Sequence, residues 1–394
     1  MLDRRNASIH STSNKRIKVG IIANHPTQYE GPLYRKLYND EGLELQVYYQ
    51  SFLGVSGECD KEMDIEVKWD VPVLSGYPYT FIKDCGILGF FRLLIKDKLD
   101  CLIIHGYRNW SSIVALCSSS LSRRPVIHIG DSILIYPTPL FKKIVKRIAF
   151  PLLFKAMDAF LAVGSLSRQF FMYYGVPDEK IFLFPYAVDN DFFEKHVEGL
   201  RARKDEMKMG LGLPEDIPTI LSVLKFIDRE RPLDLLEAYK LLTKGMSAAL
   251  VLVGDGPQNE LIRKYIEENE LEYVRLPGYV KYSELRDFYS IADVFVHPGI
   301  FECWGLSVNE AMASGLPIIT SDLVGSSYDL IRNGENGYIY PAKDVEALAF
   351  YLESVISNLD LAKEMGRVSK TIIHSWSYDE CIEGIIEAIN YCLD

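Results

Sequence analysis

Two glutamates eight positions apart are the residues of this sequence best suited to bind a ligand. Glu302 and Glu310 lie in the stretch Asp293–Pro317, which reads DVFVHPGIFECWGLSVNEAMASGLP. The apolar run at its start predicts a short buried strand, and we expect a helix to begin near Gly305. On a single helix the two side chains would lie roughly 80° apart. Gly305 makes that arrangement unfavourable, so we predict Glu302 in the loop and Glu310 in the helix.

The first turn of that helix offers a second kind of binding group. Backbone N–H groups near Leu306 and Ser307 lack an acceptor within the helix, and a helix start attracts anions. A carboxylate can accept hydrogen bonds from two neighbouring hydroxyl groups. The order of carboxylate, amides and carboxylate therefore matches a sugar, a phosphate and a ribose in a row. The alternative is an ordinary charged loop and helix at the surface.

The same stretch resembles the Glu-x7-Glu signature of family-4 retaining glycosyltransferases. The resemblance rests on FECWGLSVNEAMASGLPII, with its Gly-Leu, Glu-Ala-Met-Ala and Gly-Leu-Pro pattern. It implies the GT-B fold, in which two Rossmann-like α/β domains with parallel sheets face across a cleft and a C-terminal helix crosses back to the first domain. It also implies that Glu302 holds hydroxyl groups of the donor sugar and Glu310 the ribose, with Gly305, Leu306 and Ser307 binding the rest of the nucleotide sugar.

Size and composition favour a globular protein of two domains. The 394 residues are 48% hydrophobic and 25% charged, with a net charge of −11. The acidic balance argues against nucleic-acid binding, which uses a basic surface. No apolar run in the sequence reaches the length of a membrane span, and seven cysteines without metal-ligand spacing favour a reducing compartment. We therefore expect a cytoplasmic protein, and we interpret the polar residues 1–16 as a flexible tail rather than a signal peptide.

Alternating strand and helix patterns divide the chain into two parts. They predict a first domain over 17–195 and a second over 217–377, each with a parallel sheet and right-handed crossovers. The composition turns charged and glycine-rich between them, which predicts a linker over 196–216. The resemblance implies that the last helix, over 378–394, packs on the first domain.

Candidate ligand-binding residues follow three strands of the first domain. His25, His105 and Asp131 lie at predicted carboxyl ends of strands, where ligands of such sheets bind. Gly31 could let the backbone approach a phosphate. Relatives often place a sugar-contacting His where this chain has Asp131, so Asp131 is our first candidate there and His128 the second. Each His could instead be a hydrogen-bonded structural residue.

Two cations of the second domain match family positions. Lys225 follows a predicted strand and Arg231 precedes a predicted helix, where relatives carry Arg or Lys. A diphosphate leaving group gains charge as the sugar bond breaks, and fixed cations stabilise that charge. These two residues would neutralise the diphosphate without a metal ion, whereas Arg229 is interpreted as solvated.

Other motifs bear on the nucleotide and on metals. The Val-Gly-Asp-Gly-Pro turn containing Gly254 looks like the family's turn near the nucleotide, and the loop at 276–280 resembles the loop that clamps the base. Tyr279 of that loop could cover the base or pack in the core. Asp189-Asn190-Asp191 spells the metal-binding Asp-x-Asp motif of another transferase fold, but we interpret it as structural. We therefore expect neither a metal site nor a cofactor.

A basic amphipathic segment contrasts with the acidic chain. Over Leu140–Phe150 the apolar residues follow the i, i+3, i+4, i+7 spacing of one helix face, and lysine and arginine occupy the other. No acidic residue occurs between Ser132 and Met157. This pattern is typical of a helix that rests on an anionic membrane surface. The alternative is a domain helix with its apolar face on the sheet, and Pro151 is expected to limit either one.

Together these patterns predict a retaining glycosyltransferase that moves a sugar from a nucleoside diphosphate to an acceptor hydroxyl. UDP is expected rather than GDP, and the acceptor is a glycan, a lipid-linked saccharide or another hydroxyl compound of cell-envelope or exported polysaccharide or glycolipid synthesis. The irregular segment Phe52–Tyr79 is interpreted as an acceptor loop or a solvated insertion. The family implies attack on the face that the leaving group departs from, although Glu302 stays open as a nucleophile. Two other classes also stay open, a nucleotide-sugar 2-epimerase of the same fold and a catalytically inactive nucleotide-binding partner subunit.

Overall fold

The computed structural model describes residues 16–394, in which short apolar strands alternate with helices. The tail predicted over 1–16 falls, up to residue 15, outside the described residues. The strands are β1 Ile17–Ala23, β2 Leu43–Tyr49, β3 Cys59–Asp60, β4 Ile65–Glu66, β5 Tyr79–Phe81, β6 Cys101–His105, β7 Val126–Gly130, β8 Ala159–Ala162, β9 Ile181–Leu183, β10 Thr219–Val223, β11 Ala249–Val253, β12 Val274–Gly278, β13 Val294–His297, β14 Ile318–Ser321 and β15 Gly337–Tyr340. The α-helices are α1 Glu30–Tyr38, α2 Gly86–Lys96, α3 Trp110–Ser122, α4 Leu140–Phe154, α5 Ser165–Tyr173, α6 Asn190–Leu200, α7 Lys204–Gly210, α8 Pro232–Leu242, α9 Asn259–Glu268, α10 Leu285–Ile291, α11 Leu306–Ala313, α12 Ser327–Leu330, α13 Val345–Ile356, α14 Leu359–Ile373 and α15 Tyr378–Leu393.

The first compact unit contains a seven-stranded parallel sheet. It comprises the described residues up to Glu58, together with Val67–Tyr186 and Tyr378–Asp394. The strand order is β5-β2-β1-β6-β7-β8-β9. From β1 the chain builds the sheet first on one side, through β2, and then on the other, through β6. The switch point therefore lies between β1 and β6, where ligands of such sheets bind beyond the carboxyl ends.

The second compact unit contains a six-stranded parallel sheet. It comprises Ala187–Ser377 and the short segment Cys59–Glu66. The strand order is β12-β11-β10-β13-β14-β15, so the switch point lies between β10 and β13. Buried apolar residues from the strands and from α8, α13 and α14 form its core. The predicted α/β fold with two parallel sheets is thereby confirmed.

Helix α15 lies in the first unit, directly against β9. A Cβ atom on Gly384 would come within 1.8 Å of the carbonyl oxygen of Leu183, so only glycine allows this close approach. The thiol of Cys381 also contacts the carbonyl of Pro185 at 2.9 Å. The last helix therefore returns to the first unit, as the family resemblance implied.

Two segments differ from what the sequence predicted. The linker expected over 196–216 is largely helical, because α6 ends at Leu200 and is followed by a 3₁₀ turn and α7, all within the second unit. The segment Cys59–Glu66 pairs β3 with β4 as an antiparallel hairpin and groups with the second unit, although its flanking residues belong to the first. Asp189 caps α6 by accepting a hydrogen bond from Phe192 N–H at 3.0 Å, which agrees with a structural role for the Asp-x-Asp sequence.

Helix α4 is exposed along most of its length. Phe141, Ile144 and Ile148 are 76%, 52% and 64% exposed, whereas Phe150 and Phe154 near its end are buried in the core of the first unit. The alternative in which the apolar face packs on the sheet is therefore wrong for the first two turns. The helix also continues through Pro151, which was expected to limit it. Within the described residues, no helix has both the length and the apolar character that crossing a membrane requires.

Candidate donor-binding site

The loop after β13 carries Glu302 and is held by backbone hydrogen bonds. The N–H of Ile300 donates to the carbonyl of Arg229 at 2.8 Å, which joins this loop to the loop after β10. The N–H of Gly325 donates to the carbonyl of Glu302 at 2.9 Å, which joins it to the loop after β14. Three loops therefore meet at the carboxyl edge of the sheet, around its switch point.

Glu302 forms a cluster with two buried residues, Glu230 and His297. One ligating atom from each side chain lies within 4.8 Å of the others. Glu230 is 5% exposed and His297 is 3% exposed. Among the described residues, Oε2 of Glu230 and both ring nitrogens of His297 lack a hydrogen-bond partner. Buried polar atoms without partners are costly, so this cluster suits a ligand, and its atoms could bind either a metal ion or the hydroxyl groups of a sugar.

Burial sets the protonation of this cluster. It raises the pKa of Glu230 to about 7, although the charges of Arg229 and Lys225 oppose the rise. Burial, and next the neighbouring carboxylate of Glu230, raise the pKa of Glu302. Burial lowers the pKa of His297, and the charge of Glu302 opposes this. Near neutral pH the imidazole is therefore neutral and the carboxyl pair holds part of a proton, so the cluster can donate as well as accept hydrogen bonds.

Two cations lie beside the cluster and are paired with the hairpin Cys59–Glu66, here called the acidic hairpin. Nζ of Lys225 lies 2.9 Å from Oδ2 of Asp60 and 2.8 Å from Oε2 of Glu62. Nη2 of Arg229 lies 2.9 Å from the same Glu62 oxygen, and its Nε lies 3.9 Å from Oε1 of Glu230. Burial lowers the pKa of Lys225, but hydrogen bonds with Glu62 and Asp60 outweigh that effect and raise it overall. The carboxylates of Asp60 and Glu62 therefore form ion pairs with two cations that are suited to binding a diphosphate.

Arg231, the second predicted cation, is committed elsewhere. Its guanidinium contacts both oxygens of Asp234, at 2.9 and 2.7 Å, and also Asp228 at 2.9 Å. This two-pronged contact fixes the start of α8. The contact of Arg231 with a diphosphate beside Lys225 therefore stays a prediction. The interpretation of Arg229 as solvated is wrong, because Arg229 shares the partner Glu62 with Lys225.

The start of α11 requires glycine. Gly305 precedes the helix with φ of 92°, a left-handed conformation that favours glycine. A Cβ there would lie 3.2 Å from Val324 and 3.3 Å from Nε2 of His297. Leu306 and Ser307 form the first turn, as predicted from the sequence. Gly305 thus brings the helix start close to the buried cluster.

Glu310 lies deeper than Glu302. It is 1% exposed and accepts a hydrogen bond from the hydroxyl of Tyr289 at 2.7 Å. The sequence placed it correctly within α11 but did not predict this burial or this partner. Its contact with a ribose stays a prediction.

Gly254 and Tyr279 follow two neighbouring strands of the same sheet. A Cβ on Gly254 would lie 1.8 Å from the carbonyl oxygen of Leu224, and its N–H donates to the carbonyl of Gly278 at 3.0 Å. Gly254 therefore keeps the ends of three strands together. Tyr279 is 36% exposed just after β12. Contacts of these residues with a nucleotide stay predictions.

A second cluster of polar residues lies at the switch point of the first unit. Nδ1 of His105 lies 3.2 Å from Oε1 of Glu30, and its Nε2 lies 3.1 Å from the hydroxyl of Tyr34. Burial raises the pKa of Glu30 to about 7, which the nearby His25 opposes, and burial lowers the pKa of His105 to about 4, which Asp131 opposes. His105 is therefore neutral here. Three of the predicted residues, His25, His105 and Asp131, therefore belong to one electrostatically coupled cluster of polar residues.

Two other predicted residues of the first unit serve packing. His128 is 1% exposed and its ring packs among Tyr107, Phe154, Phe160 and Phe171. Gly31 lies inside α1, its N–H donates to the carbonyl of Thr27 at 3.1 Å, and a Cβ would lie 2.8 Å from the carbonyl oxygen of Val73. Contacts of His128 with a sugar and of Gly31 with a phosphate stay predictions.

Sequence reasoning missed several residues of the donor site. Glu230 and Arg229 lie in a charged run that reads as a solvated turn, and His297 looks like the last residue of a strand. Asp60 and Glu62 are far from Lys225 in the chain, so spacing gave no signal for them. The sequence did offer one signal, which is position. Residues next to Lys225 and before Pro298 lie at the ends of predicted strands, so they must lie at the carboxyl edge of the sheet, where ligands bind.

Comparison with known proteins finds similarity to glycosyltransferases. Residues 203–371 match the family model described as glycosyl transferases group 1. The chain is 21% identical over 79% of its length to an uncharacterized glycosyltransferase of Methanocaldococcus jannaschii, with 79% of that protein covered. It is 30% identical over 44% of its length to the alpha-monoglucosyldiacylglycerol synthase of Acholeplasma laidlawii, and this match spans 42% of that protein.

Among solved structures, the chain is similar to HepE of Anabaena in complex with UDP and glucose. The TM-score is 0.69 at 15% identity, and the match covers 94% of this chain and 98% of that one. This likeness shows the fold, which is the predicted GT-B fold of two Rossmann-like units.

Proposed function

We propose that this chain, a glycosyltransferase with the GT-B fold, moves a sugar from a nucleoside diphosphate to an acceptor hydroxyl with retention of configuration. UDP is the proposed nucleotide, which the similarity to HepE, described with UDP and glucose, supports. The observation that carries the proposal is the cluster at the switch point of the second unit. There Glu302 lies beside Glu230 and His297, whose Oε2 and ring nitrogens lack hydrogen-bond partners among the described residues, and cations lie next to this cluster.

The proposed roles follow from charge. Lys225 and Arg229 bind the diphosphate and stabilise the charge that grows on it as the sugar bond breaks. The backbone N–H groups of Leu306 and Ser307 at the start of α11 add to this stabilisation. Glu302 accepts hydrogen bonds from hydroxyl groups of the sugar, and Glu310 holds the ribose. Attack on the face that the diphosphate leaves, with a phosphate oxygen taking the acceptor's proton, requires no metal ion.

Acceptor recognition is assigned to the first unit. The polar group around His105 and Glu30 can orient a hydroxyl compound, because it contains both donors and acceptors. The similarity to alpha-monoglucosyldiacylglycerol synthase supports a glycolipid or a lipid-linked saccharide among the acceptor classes. A role in cell-envelope or exported polysaccharide synthesis fits such acceptors.

Helix α4 is the proposed contact with the membrane in which a lipid acceptor would lie. Its first turns expose Phe141, Ile144 and Ile148 beside lysine and arginine residues. An amphipathic helix with this distribution binds anionic bilayers through apolar insertion and charge attraction. The location we propose is the cytoplasm, with peripheral contact at the inner face of the cell membrane.

Thermal stabilisation by UDP, GDP and their sugar conjugates tests the donor assignment. Calorimetry should then show that Lys225→Ala weakens UDP binding by roughly tenfold or more, since hydrogen bonds to charged groups are worth about 1.5–3 kcal/mol. Lys264→Ala, an exposed lysine of the same unit, is the matched control and should leave UDP affinity unchanged. Failure of every nucleotide to bind the wild-type chain would contradict the assignment, as would equal effects of the two substitutions.

A further inference from the structure

Glu230 is a buried carboxylate beside Glu302 that the proposed transfer step does not use. We propose that Glu230 is a second residue that binds the donor sugar, and that the pair of carboxylates selects neutral sugars rich in hydroxyl groups over uronic acids. This inference rests on the proposed function, and it names the class of sugar that the site takes.

The position of Glu230 is fixed by its backbone. It ends the 3₁₀ turn Asp228–Glu230, and its N–H donates to the carbonyl of Ile227 at 3.1 Å. The carbonyl of Arg229 accepts the hydrogen bond from Ile300, in the loop that carries Glu302. This turn therefore cannot move away from Glu302 without breaking that bond, and the two carboxylates stay neighbours.

The side chain of Glu230 is incompletely satisfied. Nε of Arg229 lies 3.9 Å from Oε1, whereas Oε2 lies 3.8 Å from Nε2 of His297 and has no hydrogen-bond partner among the described residues. The other cation whose charge acts on Glu230, Lys225, is held by Asp60 and Glu62. A carboxylate oxygen buried in this way needs a donor. A sugar hydroxyl group bound beside Glu302 supplies one.

The charge of the cluster gives the selectivity. A hydroxyl group can donate to one carboxylate and accept from a protonated one, so a neutral sugar satisfies both. The carboxylate of a uronic acid would add a third acidic group next to Glu230 and Glu302, where like charges are poorly screened. His297 is buried and neutral, so it provides no compensating charge. We therefore expect discrimination against uronic acids even when the nucleotide is the same.

The test measures UDP and UDP-sugars separately by calorimetry. The probes are UDP, UDP-glucose, UDP-galactose, UDP-N-acetylglucosamine and UDP-glucuronic acid. Wild-type protein should bind its best neutral UDP-sugar more tightly than UDP-glucuronic acid. In Glu230→Gln the affinity for UDP should stay within about twofold, the affinity for that neutral UDP-sugar should fall about tenfold, and the discrimination against UDP-glucuronic acid should shrink. Glu237→Gln, an exposed glutamate on α8, is the matched control and should change none of these values.

The outcomes separate this inference from the proposed function. If wild-type protein binds UDP-glucuronic acid as tightly as the neutral UDP-sugars, the selectivity claim is overturned, and this needs no variant. If Glu230→Gln alters UDP and UDP-sugar binding equally, or alters neither, Glu230 is structural and the inference fails while the donor assignment stands. If wild-type protein binds neither UDP nor any UDP-sugar, the proposed function and the inference fail together.

Discussion

At the scale of single residues, buried acids determine how the second unit responds to pH. Glu230 has a folded-state pKa of about 7, raised by burial from the usual value of 4.5. The folded chain therefore binds a proton that the unfolded chain releases at lower pH. The stability associated with this proton is fully present below about pH 4.5 and is lost as pH rises toward and through about 7.

We predict that Glu230→Gln reduces the loss of stability with rising pH. At about 1.4 kcal/mol per pH unit, the interval between the two pKa values corresponds to at most about 3.5 kcal/mol. Urea unfolding of the wild type, Glu230→Gln and Glu237→Gln at about pH 5 and about pH 8 measures this difference. The Glu230 variant should lose less stability than the other two proteins. Equal losses in all three would show that Glu230 ionises with an ordinary pKa.

The residues that sequence reasoning predicted correctly are those whose backbone position decides their role. Gly305 and Glu302 follow from a strand end and a helix start, which local patterns indicate. The burial of His128 was not predicted, since the aromatic side chains that enclose it come from other elements and cannot be read from spacing. The ion pairs of Arg231 are local, since Asp228 and Asp234 lie three residues away on either side.

At the scale of elements, the acidic hairpin competes for the cations that the proposed mechanism needs. Asp60 and Glu62 hold Lys225 and Arg229 at hydrogen-bond distance. A diphosphate must therefore displace carboxylates to reach these groups. Sequence patterns did not predict this hairpin, because its strands have two residues each and no apolar alternation.

We predict that removing the hairpin charges strengthens UDP binding. The Asp60→Asn, Glu62→Gln double variant should bind UDP several-fold more tightly than the wild type, since the competing carboxylates are gone. Glu66→Gln, on the same hairpin but outside the contacts of Lys225 and Arg229, should leave the affinity unchanged. Calorimetry at low ionic strength gives the comparison. Weaker binding in the double variant would mean that the hairpin orders the cations instead of competing for them.

Helix α4 makes a separate prediction about membranes. Wild-type protein should float with liposomes that contain anionic lipid and should be released by salt, because charge attraction is screened. Replacing both Phe141 and Ile148 by Ser should reduce flotation with little loss of stability, because both are more than half exposed. Replacing Leu361, a partly exposed leucine on α14, by Ser is the control. Flotation that ignores lipid charge, or that persists in the double variant, would argue against contact through α4.

At the scale of the whole molecule, the fold was the most predictable property. Buried parallel strands are continuous apolar runs, such as Ile17–Ala23 and Ala249–Val253, and turns interrupt them clearly. The grouping of Cys59–Glu66 with the second unit was not predictable, since a local pattern carries no information about which sheet a loop approaches. Substrate specificity also depends on which side chains meet in the folded chain, so local sequence patterns do not report it.

The central claim is that the second unit activates a nucleotide sugar, and release of UDP from a UDP-sugar tests it most directly. Purified protein is incubated with the UDP-sugar that stabilises it most, with and without lipid-linked acceptors and in excess chelator. We expect wild-type protein to release UDP, faster with acceptor, and Lys225→Ala and Glu302→Gln to lose most of this rate while remaining folded. Conversion of the donor to its 2-epimer, or UDP release that is unchanged in both variants, would contradict the account.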